Sequence, residues 1–221
     1  MREIAPDVHL ITGFPPLAVN CFLIGDVLVD AMGRGDAKRI LKALQGRTVA
    51  AHALTHAHPD HQGSSHAVCE ALGIPLWVHE LDAPAVEDPS LIRQRQRSHP
   101  INTLMDRLFT GPAHPVARTL AEGDVVGGFT VLETPGHSLG HVCFWRESDR
   151  VLIAGDVLNT QHSLLLFPRG PREPVGWFTP DPETNRASLR RLGELEPAVV
   201  CVGHGPVWTD TARFVAFCRS V

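Results

Sequence analysis

The chain has 221 residues, 13 of them histidine and none tyrosine, with 43% hydrophobic and 20% charged residues and a formal net charge of −4. This length suits one α/β domain over residues 1–221, the composition argues against disorder, and the net charge excludes a general affinity for nucleic-acid phosphate. Five cysteines without Cys-x-x-Cys spacing predict reduced thiols rather than a disulfide framework or a zinc knuckle. The opening MREIAPDVHL has no cationic stretch leading into an apolar run, and no apolar run is long enough to span a bilayer. The expectation is a cytoplasmic protein that contacts neither membrane nor nucleic acid.

In chain order, short apolar runs punctuated by Gly, Pro, Asn and Asp predict strands. Val8 to Thr12, Asn20 to Ile24 and Val27 to Val29 read as a meander with a turn at Gly25-Asp26. Apolar Ala37, Ile40, Leu41 and Leu44 have a helical period, with Asp36 as N-cap and Gly46 as stop. Val49 to Leu54 is a buried strand, followed by a helix over 63–72 that ends at Gly73, and by the strand Ile74 to Val78. Residues 80–118 read as a surface insertion or lid, rich in proline, with the string Arg93-Gln94-Arg95-Gln96-Arg97 and a helix from Ile101 to Phe109. Strands return at Phe129 to Glu133, His141 to Arg146 and Val151 to Ala154. Residues 159–180 read as a second irregular insertion holding Phe167, Trp177 and Phe178. A helix over Pro182 to Leu192, a strand over Ala198 to Val202 and a helix over Thr211 to Cys218 close the chain.

The strongest chemical signal is Thr55-His56-Ala57-His58-Pro59-Asp60-His61, directly after a buried strand. His56 and His58 point the same way on an extended backbone and can reach one metal, while Asp60 and His61, past Pro59, face a neighbouring site. His137 in Thr134-Pro135-Gly136-His137, Asp156 in Gly155-Asp156 and His204 in Gly203-His204-Gly205 each follow an apolar strand at a turn, where a scaffold presents ligands. Five imidazoles and two carboxylates suffice for two metal sites that share a carboxylate and keep room for water. This donor set suits zinc, iron, manganese or nickel and has nothing soft enough to select copper(I).

The ordered set T-H-x-H-x-D-H, T-P-G-H, G-D and G-H-G resembles the metallo-β-lactamase fold superfamily of metallohydrolases, from about Val8 to the C-terminus. The resemblance, closest to a glyoxalase II-like metal site, implies an αββα sandwich with metals along one edge between the sheets. It places His56, His58 and His137 on a first metal, Asp60, His61 and His204 on a second, and Asp156 between them. Two divalent ions are implied, zinc first, with iron or manganese as alternatives. The mechanism expected is attack of a metal-generated hydroxide on the carbonyl of a small thioester, ester or lactone, with Asp60 as the catalytic carboxylate. No G-x-S-x-G nucleophile elbow competes with it, and Cys69, Cys143, Cys201 and Cys218 lie in apolar runs as core residues.

His141 is a candidate for orienting a ligand from behind, with a plain turn histidine as the alternative. His9, His52, His66, His79, His99, His114 and His162 show no partner pattern and read as surface or ordinary packing, with His79 and His162 as cleft candidates. The Arg93 to Arg97 string reads as a solvated face or an anion clamp, and Trp177 with Phe178 as a wall over the metals or a buried loop anchor. Within the resemblance, Asp156 argues against a typical metallo-β-lactamase, and the missing tyrosine against homoserine-lactone hydrolases. The end of the chain at Val221 argues against a glyoxalase II with its helical glutathione-binding domain, and His58, rather than glutamate, against flavodiiron members. Nuclease members are disfavoured by the lack of basic arms. Two further readings stand beside the hydrolase: a mononuclear iron persulfide dioxygenase, and a metal-binding module without turnover.

Overall fold

In the computed structural model, which describes residues 1–162 and 167–221, the opening meander forms and gains one strand. β1 (Arg2–Ala5), β2 (Val8–Thr12), β3 (Asn20–Ile24) and β4 (Val27–Val29) pair antiparallel in that order. α1 (Ala37–Ala43) crosses to β5 (Ala51–Ala53), which lies parallel to β4. α2 (Pro59–Gln62) and α3 (Ser65–Leu72) lead to β6 (Leu76–His79), parallel to β5.

The stretch read as a surface insertion or lid is mostly helical and ends in the sheet. α4 (Ala83–Glu87), α5 (Ser90–Arg95) and α6 (Pro100–Phe109) form the crossover to β7 (Val116–Leu120), parallel to β6 and seventh in the sheet. Two of the prolines that suggested irregularity, Pro84 and Pro100, sit in the first turns of α4 and α6, where a missing N–H is one the helix would not use, and Pro89 directly precedes α5. Helices of 5 and 6 residues, as α4 and α5 are, are also too short to display a helical period.

The second sheet runs, edge to edge, through Val199–Val202 (β14), Val151–Gly155 (β11), Val142–Arg146 (β10), Phe129–Glu133 (β9) and Val125–Val126 (β8). β8, β9, β10 and β11 run antiparallel to one another. A small antiparallel pair, β12 (Asn159–Gln161) and β13 (Pro168–Arg172), occupies part of the region read as irregular. α7 (Pro182–Gly193) returns the chain to β14 (Val199–Val202), parallel to β11, and α8 (Thr211–Ser220) follows. Asp181 and Asp210 cap α7 and α8 by accepting from Thr184 N and Arg213 N, each at 3.0 Å.

Strand alternation explains the layering. Phe22, Ile24, Val27 and Val29 of the first sheet meet Phe129, Val131, Val142, Phe144 and Ile153 of the second in one core. The alternate residues Cys21, Leu23 and Leu28 pack outward with Ile40 and Leu44 of the α1 segment and Val68 of α3. On the other side Cys143, Trp145 and Leu152 pack against Leu189 and Leu192 of α7 and Phe214 and Cys218 of α8. Each buried Phe, Leu, Ile or Val contributes about 1.5–3 kcal/mol to this α-β-β-α stack. All five cysteines are buried and free. Among the described residues, no helix is long and apolar enough to cross a membrane.

One outward residue of β5 is polar. His52 is fully buried, its Nδ1–H directed at Leu28 O (3.1 Å) while Nε2 faces Ser65 Oγ (2.8 Å). Burial holds this ring neutral by pulling its pKa from 6.5 to about 4. The unfolded chain therefore binds a proton below pH 6.5 that the native chain refuses until about pH 4. This contribution is complete above pH 6.5 and is lost as the pH falls through that window, up to about 3 kcal/mol. Urea melts across this range should show the fall, and His52→Gln should flatten its slope by about one proton.

Candidate metal centre

Asp30 follows β4, His56 follows β5, His137 follows β9, Asp156 follows β11 and His204 follows β14. Their strand ends converge on one edge of the sandwich. His58 has an extended backbone (ψ 156°) and precedes α2, whose first residue is Pro59. Asp60 and His61, past Pro59, thus lie on a helical turn.

All seven residues nominated from the sequence come together. Ligand atoms of His56, His58 and His137 lie within 4.8 Å of one another, as do those of Asp60, His61 and His204, and those of His56, His61 and Asp156. Asp156 stands between the groups: Oδ2 is 3.0 Å from His204 Nε2 and 3.7 Å from His137 Nε2, and Oδ1 is 3.5 Å from His61 Nε2. His204 Nε2 is also 3.3 Å from Asp60 Oδ2.

The far side of most of these rings is anchored. His56 Nδ1 meets Thr55 Oγ1 at 3.0 Å, His61 Nδ1 meets Asp30 Oδ2 at 3.0 Å, and His137 Nδ1 meets Thr179 Oγ1 at 3.2 Å. His204 Nδ1 bonds the carbonyl of Ala18. A proton on Nδ1 leaves Nε2 with a free lone pair, the form a metal ligand needs. Such anchors commonly stand behind ligating histidines.

The arrangement fits divalent cations on its own terms. His56 Nε2, His137 Nε2 and Asp156 Oδ1 are buried without a hydrogen-bond partner. Stranding a buried polar atom costs about 1–3 kcal/mol, so three on one edge call for a group that accepts lone pairs. Burial, reinforced by neighbouring imidazoles, pulls His56 and His137 well below the usual histidine pKa and keeps both neutral. His61 and His204 go the other way. Burial opposes their charge, but Asp156 with Asp30 lifts His61 to about 10, and Asp156 with Asp60 lifts His204 well above its usual value. For Asp156 and Asp60 burial is likewise outweighed, by His204 and His61, so both carboxyls are held below the usual carboxylate range.

Two acids that the motif reading passed over support the centre. Asp30, 1% exposed, accepts from Thr55 N (2.8 Å) and Thr55 Oγ1 (2.9 Å) as well as from His61. Asp82, buried, accepts from Ala57 N at 3.0 Å, Ser138 Oγ at 2.9 Å and Gly140 N at 3.1 Å, so it joins the loop of His56 and His58 to the loop of His137. Each lies one to three residues beyond a strand, the position that marked Asp156. Asp82→Ala would free both loops and strand two backbone N–H groups, at about 1–3 kcal/mol each. Metal titration of that variant should show about 10–100-fold weaker binding with helix content retained by circular dichroism.

His141 stands behind Asp156: Asp156 N donates to its Nε2 at 3.1 Å, and its Nδ1 faces Thr134 Oγ1 at 2.8 Å. The glycines before Asp156 and His204 are also required. A Cβ on Gly155 (φ 51°) would lie 2.7 Å from His141 Nε2, and one on Gly203 would lie 2.1 Å from Asp156 Oδ1.

Other expectations resolve outside the centre. Trp177 stacks on His99 at 4.8 Å, and its carbonyl accepts from Asn102 of α6, so it anchors a loop. His79 Nε2 faces Glu133 at 3.2 Å. Arg97 donates to Pro180 O at 3.2 Å, while Arg95 donates to Leu81 O and lies 3.9 Å from Asp82. Beside His58 is a hollow lined by Ala57, Asp82, Arg95, Ser138, Leu139 and Pro180. Residues 163–166, within the second expected insertion, lie outside the described residues.

A family model described as the metallo-beta-lactamase superfamily matches residues 14–204. The chain is 30% identical over 174 residues to the probable metallo-hydrolase YflN of Bacillus subtilis, spanning 73% of this chain and 66% of that protein. It is 30% identical over 173 residues to a hydroxyacylglutathione hydrolase of Bdellovibrio bacteriovorus, spanning 76% of this chain and 54% of that one. Both shares of the relatives' own length fall short of two thirds. Among solved structures, TTHA1623 in a di-iron-bound form superposes with a TM-score of 0.70 at 33% identity, covering 91% of this chain and 94% of that one. The BLEG-1 B3 metallo-β-lactamase does so with a TM-score of 0.71 at 30% identity, covering 93% and 95%. The matched span, the layered fold and these likenesses agree: the chain belongs to the metallo-β-lactamase superfamily.

Proposed function

We propose that the chain is a hydrolase that uses two divalent ions, zinc first with iron or manganese as alternatives, to cleave a small thioester, ester or lactone. The observation that carries this reading is Asp156, one carboxylate facing both histidine groups, with Oδ1 toward His61 and Oδ2 toward His137 and His204. Metal ions in such a pair supply an activated water near neutral pH and a Lewis acid for a carbonyl oxygen. His56, His58 and His137 would hold one, Asp60, His61 and His204 the other, and Asp156 would be shared.

The chain's own groups supply positioning and charge. Asp60 has the most open side chain of the ion-paired centre, 36% exposed against 7% for Asp156, so it meets incoming solvent and substrate. Its carboxyl, kept ionised by His204 and His61 against the effect of burial, can orient a water by accepting its hydrogen. The hollow beside His58 offers Leu139 and Pro180 to an apolar group and Ser138 to a polar one. The hydroxyacylglutathione hydrolase among the relatives supports a thioester, and the di-iron structure keeps iron in play.

The test is metal analysis by plasma mass spectrometry, followed by turnover on thioesters, lactones, aryl esters and, given BLEG-1, a β-lactam. Two metals per chain with cleavage of a thioester, ester or lactone supports the proposal. Fully loaded protein that cleaves none of them overturns it, and one iron per chain with oxygen uptake on a persulfide replaces it with the dioxygenase reading.

A further inference from the structure

A second group of metal-ligating side chains lies apart from the strand-end edge, in the helical layer over the first sheet. His66 and Glu70 stand four residues apart on α3 and therefore share one face of that helix. His114 comes from the connection between α6 and β7, where its own N–H donates to Val86 O at 3.3 Å. His66 Nδ1 and His114 Nδ1 are 3.2 Å apart, the ring centroids are 5.4 Å apart, and one ligand atom from each of the three residues lies within 4.8 Å of the others.

We infer that His66, Glu70 and His114 form a separate zinc site that joins α3 to the α6–β7 connection. Two nitrogens each about 2.0–2.1 Å from one zinc at a tetrahedral angle lie ~3.3 Å apart, close to the observed spacing. Without a cation, the facing nitrogens can share only one proton, so one ring must present its lone pair to the other's N–H. A dication replaces that proton and uses both lone pairs. Glu70 adds an anionic oxygen, and the donor set of two imidazoles and one carboxylate suits zinc or another borderline divalent metal. His114 is buried, which with the adjacent His66 lowers its basicity and favours the neutral ring a metal requires. His66 is half-buried and Glu70 exposed, so the site opens to solvent and a water can take the fourth position.

The site would clamp a tight seam. Gly63, just before α3, packs so closely on the C-terminal end of α6 that a Cβ there would lie 2.3 Å from Phe109 O. The same seam carries α2, and with it Asp60 and His61, against α6.

The experiment is calorimetric titration of the full-length, metal-stripped chain with zinc chloride, comparing wild type with His66→Gln, His114→Gln and Glu70→Gln. Expected is one zinc equivalent fewer in either histidine variant, and an equivalent at least about tenfold weaker in Glu70→Gln. Because Glu70 is an exposed side chain, its variant keeps the test valid if a histidine variant fails to fold. In His56→Asn/His137→Asn, where the strand-end centre is crippled, the same equivalent should persist, which separates this site from that one. Unchanged stoichiometry and affinity in Glu70→Gln and in the folded histidine variants would reduce the pair to a hydrogen bond and overturn the inference.

Discussion

Asp156→Ala, prepared under conditions that load the wild-type chain, should retain at most one metal ion and lose at least about 100-fold in turnover. The carboxylate faces both histidine groups, so its removal leaves His61 Nε2 and His204 Nε2 3.4 Å apart without the acid that pairs with both. In the metal-free chain Asp156 and its neighbours favour the charged form of both rings, and losing that partner uncovers buried charge at about 3–5 kcal/mol. Two readouts check this: metals per chain by mass spectrometry and the melting midpoint of the stripped protein. A variant that still carries two ions and melts with the wild type would show that the carboxylate is not shared.

The second large effect is expected at Asp30, which touches neither group of ligands from the front. His56 Nδ1–H bonds Thr55 Oγ1, Thr55 Oγ1–H bonds Asp30, and His61 Nδ1–H bonds Asp30 directly, so one acid orients a ligand from each group. Asp30→Ala strands these donors and the amide of Thr55, costing about 3–5 kcal/mol, and should abolish soluble expression or lower the melting midpoint sharply. Asp30→Asn separates folding from function. Asn tolerates the left-handed backbone found here (φ 61°) and can still accept from Thr55. Its NH2 then faces His61 Nδ1, which must accept rather than donate, so the His61 proton moves to Nε2 and blocks the lone pair. The Asn variant should fold with modest loss and bind metal about 10–100-fold more weakly at the Asp60–His61–His204 group, measured by chelator competition.

The candidate centre was legible because residues able to bind metal stand in compact motifs after apolar strands. His56 to His61 stood out locally, whereas His137, Asp156 and His204 were each weak alone and gained weight from the ordered set of motifs; the described structure gathers them. Asp30 and Asp82 were harder. A single acid after a strand reads as a turn, and their value lies in backbone N–H groups 25 to 58 residues away that no local pattern displays. The strands followed from short apolar runs and the sandwich from the resemblance, whereas α4 and α5 hid in proline-rich sequence because short helices are defined by packing rather than by period. The pairing of His66 with His114 depends on contact across 48 residues and was equally invisible.

The five buried thiols have a practical consequence. Burial pushes Cys69, Cys143, Cys201 and Cys218 up to about 12 and Cys21 well above its usual value, so almost no thiolate exists at neutral pH in the closed molecule. An alkylating reagent in native buffer therefore reacts through molecules that have transiently opened. Since these cysteines are distributed over the inner core, both outer faces and the closing helix, site-by-site labelling rates would map which layer breathes first.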